Sequence, residues 1–102
     1  MSAAPIPYSP ESQLSSSKVD EWMSAIGREL SAIREEKAIS QKDMAASLEV
    51  SRSTLIRLES GESPNMPKYI EYALELGVNP AVLVARANGA LKARRIDLST
   101  IE

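Results

Sequence analysis

The sequence predicts an all-α domain, a bundle of five helices. Apolar residues recur at three- and four-residue spacing, Ser, Asn and Pro mark helix starts, and Gly follows two of the predicted helices. No segment between Lys18 and Asn88 alternates as a strand, and no repeat of about 20 to 50 residues is visible. A chain of 102 residues has room for one modest core.

Residues 1–16 carry Pro5, Pro7 and Pro10, several serines and little apolar periodicity, a composition that does not repay its ordering entropy. They are expected to form a flexible arm ahead of a domain over residues 17–88 and a tail over residues 89–102. Ser17 with Asp20 resembles a capping box, and Val19, Met23, Ile26, Leu30 and Ile33 then repeat at four-three spacing with Trp22 beside them. The first helix is therefore expected from about Lys18 to Lys37. Ser40 caps a second, two-turn helix that buries Met44, Ala45 and Leu48, and Ser51 caps a third that ends before Gly61. A fourth helix from about Pro67 to Leu76 is expected to pack Ile70, Ala73 and Leu74, ending at Gly77 with Val78 making the apolar contact of the C-cap. Asn79 and Pro80 open a fifth through Val82, Leu83 and Val84 to about Asn88. The tail "ALKARRIDLSTIE" reads either as resumed helix or as an alternating strand through Ile96, Leu98 and Thr100.

Composition removes most chemistry. With no Cys and no His there is no thiolate nucleophile, no imidazole base, no disulfide and no usual zinc site, so no metal or cofactor is expected. The carboxylates show no spacing that marks an acid/base pair, and no Gly-rich phosphate loop occurs. An enzyme is not expected. No apolar run suits a bilayer, and the first residues lack the basic and apolar regions of a signal peptide, which predicts a cytoplasmic protein without a membrane partner. A net charge of −2 provides no global attraction for nucleic acid, so any such binding needs a local basic surface.

Such a surface is encoded in "SRSTLIRLESG", residues 51–61. Two short helices joined by two or three residues cross steeply, as in a helix-turn-helix. At about 100° per residue, Arg52, Ser53, Ile56, Arg57 and Ser60 share one face, while Thr54, Leu55 and Leu58 fall opposite. Leu55 and Leu58 then pack on Ala45 and Leu48, and Ile56 points away. An outward face of two arginines, hydroxyls and an isoleucine suits a major groove: Arg can pair with guanine O6 and N7, Ser with a base or phosphate, and Ile with a thymine methyl.

Residues 26–80, "IGRELSAIREEKAISQKDMAASLEVSRSTLIRLESGESPNMPKYIEYALELGVNP", resemble the Xre/Cro-type, phage repressor-like helix-turn-helix domain of transcriptional regulators. The resemblance rests on Arg-Glu-Glu-Lys ending helix 1, Ser-Gln opening helix 2, Met-Ala within it, Val-Ser-Arg-Ser-Thr-Leu, Leu-Glu-Ser-Gly and Leu-Gly-Val. It implies the lambda-repressor-like bundle and a dimeric repressor on a palindromic or pseudo-palindromic operator in duplex DNA. It also implies base reading by Arg52, Ser53 and Arg57, less regularly by Ile56, and phosphate contacts from Gln41, with Ser51 and Thr54 as similar candidates and Arg28 and Lys68 flanking. Two features depart from the family pattern: Glu49 stands at the turn where Gly is usual, and Glu49, Glu59 and Glu62 border the basic face, which predicts weak non-specific affinity. Specificity through a homodimer follows, with Val82, Leu83, Leu91, Ile96 and Leu98 as dimerisation candidates and Val19 and Trp22 as a second surface. Core packing within one chain is the other reading of Val82 and Leu83. The alternative function is a protein-interaction module, antitoxin-like or regulatory, that reuses the fold and binds a protein through its tails.

Overall fold

The computed structural model describes the backbone of residues 10–101 and the side chains of residues 18–94. Among the described residues five helices follow one another: α1 (Pro10–Glu36), α2 (Gln41–Ser47), α3 (Arg52–Ser60), α4 (Met66–Glu75) and α5 (Pro80–Ile101). The fold is all-α. No helix among the described residues is long and apolar enough to cross a membrane.

The two outer helices are longer than the sequence pattern suggested. α1 begins at Pro10 rather than Lys18, so it takes in residues 10–16 of the expected arm, and the Ser17 and Asp20 pair lies inside it. Proline at a first helical position gives up only an N–H that has no helical partner, and no further Pro or Gly interrupts the run until Gly27. Residues 1–9 of the expected arm lie outside the described residues. α5 continues through Gly89 to Ile101, which resolves the tail as helix. The helix formers of "ALKARR" offset the roughly 1 kcal/mol that Gly costs in a helix, and Leu91 extends the buried stripe of Leu83 and Ala87 by one more turn.

The core draws on every helix: Ile26, Leu30 and Ile33 of α1, Met44, Ala45 and Leu48 of α2, Leu55 and Leu58 of α3, then Ala73 and Leu76, and Leu83, Ala87 and Leu91. Trp22, Met23 and Val78 pack at its edge. Val19 was expected in the α1 stripe but is 58% exposed. The larger correction concerns α4. Ile70 and Leu74 were expected inside, yet both are exposed, and Tyr69 and Tyr72 occupy the core instead. Both phenols are satisfied there. The Tyr69 hydroxyl donates to the Ser63 carbonyl at 3.0 Å and accepts from the Ser63 N–H at 3.1 Å, and the Tyr72 hydroxyl donates to the Glu59 carboxylate. A buried ring with a partnered hydroxyl is stable where an orphaned one is not.

Each of the first four helices ends in the same paired hydrogen-bond motif, with one residue in the left-handed region. Gly61 and Gly77 fill that position after α3 and α4, as anticipated, but Ala38 (φ 57°) and Glu49 (φ 56°) fill it after α1 and α2. At Glu49 the bonds run from its own N–H to Ala46 and from Val50 N–H to Ala45. Both bonds of the motif thus form in spite of the side chain. α1 crosses α3 at Gly27, where a Cβ would come within 2.6 Å of the Leu58 and Glu59 carbonyl oxygens. The absence of a side chain lets the two backbones touch and sets the tilt of α3.

Candidate nucleic-acid interface

Two serine caps and one short turn place α3. Ser40 Oγ accepts from Asp43 N–H at 3.0 Å to start α2, and Ser51 Oγ accepts from Thr54 N–H at 3.1 Å to start α3. Between them the chain turns through Leu48, Glu49 and half-buried Val50. Leu55 and Leu58 are wholly buried among Met44, Ala45 and Leu48, which locks the rotation of α3 about its own axis.

With that rotation fixed, Arg52, Ser53, Ile56, Arg57 and Ser60 all lie exposed on the far side, Ile56 at 47%. The predicted division between Leu55 and Ile56 is the one the structure contains. Ser51 and Thr54 stand at the N-terminus of α3, the Ser51 hydroxyl donating to Thr54 Oγ1 at 3.0 Å. Gln41, at the start of α2, lies beside them: its Oε1 accepts from the Arg52 guanidinium at 3.3 Å. Lys68 sits against the turn, donating from Nζ to the Leu48 carbonyl and to Glu71, each at 3.1 Å. It therefore ties α4 to the end of α2. Arg28 is placed apart from this group, lining a shallow cleft with Asp20, Glu21 and Ser24 of α1 and Arg94 of α5.

Beneath the face lies a polar cluster that the sequence pattern did not reveal. Arg34 is 6% exposed; its Nε donates to Glu59 Oε2 at 2.6 Å and its Nη1 donates to the Ile39 carbonyl at 2.7 Å. Glu59 also accepts from Gln41 Nε2 at 3.1 Å and from the Tyr72 hydroxyl. Glu59 was expected to border the basic face as a repelling charge. Instead its side chain is only 9% exposed and neutralised by Arg34, so the negative charge is turned inward. Burial alone would raise the Glu59 carboxyl, but hydrogen bonds from Arg34, Tyr72 and Gln41 and the charge of Arg34 outweigh it and hold the group below its usual value. Burial and the adjacent Glu59 push the Tyr72 phenol well up, so it remains a donor. The available signal was positional: Arg34 follows Ile33 and Glu59 follows Leu58, so each charge flanks a buried stripe.

The dimerisation candidates separate. Leu83 and Leu91 are buried within the single chain at 2% and 3% exposure, because α5 turns that stripe onto α1, so they cannot serve a partner while the monomer stays packed. Val82 is half exposed. The side chains of Ile96 and Leu98 lie outside the described residues.

The helix-turn-helix family profile matches residues 30–83, a span that contains α2, α3, α4 and the core faces around them. The chain belongs to the Xre/Cro-like helix-turn-helix family. Among solved structures it is similar to the clp gene regulator ClgR from Corynebacterium glutamicum, 26% identical, with a TM-score of 0.66 over 78% of this chain and 88% of that one. No curated protein matches the sequence.

Proposed function

We propose that the chain is a sequence-specific DNA-binding transcriptional regulator, a dimeric repressor that places α3 in the major groove and denies a promoter to polymerase. One observation carries this reading: Leu55 and Leu58 are wholly buried while Arg52, Ser53, Ile56 and Arg57 stand together in solvent on the opposite face of α3. Membership of the family and the likeness to a gene regulator support it. Arg52, Ser53 and Arg57 are assigned to bases and Ile56 to a thymine methyl. Gln41, Ser51 and Thr54 border the backbone at the N-terminal ends of α2 and α3, where N–H groups favour phosphate. Lys68 shares its charge with Glu71 and Leu48, so its phosphate contact is secondary to its tie across the turn. Arg28 reaches a phosphate only if the duplex extends along α1.

A single reading head touches few base pairs, and a two-fold pair spaced about one helical turn apart supplies the missing specificity. Of the residues expected to dimerise, Val82 on α5 and Val19 on α1 are exposed. The second reading, an interaction module, is favoured by Met66, Ile70 and Leu74, which lie exposed at four-residue spacing on α4, where base reading has no use for them.

The test is affinity for duplex DNA from upstream of the chain's own coding region, measured over a salt series for wild type and Arg52→Ala. Loss of a base contact predicts a drop of about 1 to 3 kcal/mol on the preferred sequence and a smaller one on others. An unchanged affinity and preference would remove the base-reading assignment and favour the interaction module.

A further inference from the structure

We infer that Lys68 is a positioning residue for DNA reading: its ammonium braces the turn between α2 and α3 and so fixes the angle at which α3 is presented. This role rests on the reading of α3 as the base-reading helix, and it moves Lys68 from the phosphate contacts to the scaffold behind them. The side chain is half-buried, and its Nζ donates to the Leu48 carbonyl and to Glu71 Oε1, each at 3.1 Å. Two of the three donors of the ammonium are thus engaged before any DNA arrives.

The Leu48 carbonyl is where a brace is needed. α2 is only seven residues long, too short to persist by itself, and its last turn holds no basic side chain to offset the carbonyl end of the helix. The bonds that close the turn run from Leu48 N–H to Met44, from Glu49 N–H to Ala46 and from Val50 N–H to Ala45, and none of them uses the Leu48 carbonyl. The next residue, Glu49, is held at φ 56°, a left-handed conformation that a side chain disfavours. Lys68, twenty residues on, supplies both the missing cation and a donor to that carbonyl. Its own helix does not call for it. Lys68 lies in the first turn of α4, where a positive charge opposes the helix dipole and no acidic side chain of that turn offsets it. The lysine is unfavourable along its own helix and favourable across the turn. Ser51, three residues after Leu48, caps α3, so movement at the braced carbonyl passes directly to the start of the reading helix and to Arg52 and Ser53.

The test takes the duplex that the wild-type chain selects from a random pool, together with duplexes changed at single base pairs, and measures affinity over a salt series for wild type, Arg52→Ala and Lys68→Met. Amide exchange of the turn is recorded alongside. Lys68→Met keeps the aliphatic stem and removes the brace. It is expected to leave the salt dependence at the wild-type slope and to speed exchange at Glu49 and Val50. Preference for the selected duplex is expected to fall by about two- to tenfold, the cost of ordering the turn on binding, and evenly over every position that α3 reads. Arg52→Ala is expected to flatten one position alone. A plot of log affinity against log salt shallower by about 0.9 in Lys68→Met would mark a lost phosphate contact and overturn the positioning role. Faster exchange with unaltered preference would confine the brace to stability and overturn it too, as would no change at all. If Lys68→Met does not fold, Lys68→Gln, one bond shorter and uncharged, is read by the same outcomes. If Arg52→Ala itself changes nothing, the base-reading assignment falls first and the positioning role with it.

Discussion

Leu55 and Ile56 are neighbours of similar hydropathy with opposite duties, and the difference is a matter of about 100° of helix rotation. Leu55→Ala should cost about 2 to 5 kcal/mol in chemical unfolding, as for a buried leucine truncated in a packed core. Ile56→Ala should change stability by no more than about 0.5 kcal/mol and instead weaken binding to the preferred DNA. Equal stability losses for the two would mean that Ile56 is covered. This division was legible in the sequence because it needs only the period of the helix and the apolar face of its neighbour. Glu59 was not legible: its partner Arg34 is on another helix, and a local pattern assigns a charge beside a stripe to solvent. Its pH signature is specific. The folded carboxyl is held below its unfolded value of 4.5, so its contribution is complete above that pH and is lost as pH falls through the folded value. Unfolding midpoints measured downward from about pH 6 should fall more steeply below pH 4.5 in wild type than in Glu59→Gln. Parallel curves would show that Glu59 titrates alike in both states.

At the level of elements, the caps and turns of the central helices followed from local signals, because Ser40, Ser51, Gly61 and Gly77 act on groups a few residues away. The inward face of α4 did not. Hydropathy ranks Ile70 and Leu74 above Tyr69 and Tyr72, and the phenols are acceptable inside only because Ser63 and Glu59 meet them. The turn after α2 carries a measurable strain. Glu49 holds φ 56° with a side chain where Gly has no penalty. Glu49→Gly should stabilise the domain by up to about 1 kcal/mol, raising the thermal midpoint by about 4 to 8 °C per kcal/mol gained. A lowered midpoint would show that the Glu49 side chain contributes a compensating contact. Gly27 has the reverse requirement, since any Cβ there meets carbonyl oxygens of α3 within 2.6 Å. Gly27→Ala should destabilise by about 1 to 3 kcal/mol, and DNA affinity should fall with the shifted α3; a neutral result would mean that the α1 and α3 crossing relaxes freely.

For the molecule as a whole, the family fold was legible because its motifs fall in one block, residues 26–80, and the family profile matches nearly the same span, residues 30–83. The proposed dimer surface was less so. The pattern that makes Leu83 and Leu91 look adhesive is the same whether they meet α1 or a second chain, and only the three-dimensional course of α5 separates the cases. Truncation after Asn88 would therefore remove core residue Leu91 and unfold as much as it dissociates. Val82→Asp is the cleaner variant: sedimentation should move toward the monomer without loss of thermal midpoint. An unchanged profile would turn attention to Val19, 58% exposed at the other end of the bundle. Contact between the outward face of α3 and duplex DNA can be followed through backbone amide resonances while the preferred duplex is added. The largest shifts are expected at Gln41 and from Ser51 to Arg57. Shifts confined to α4 and α5, with those residues silent, would contradict it.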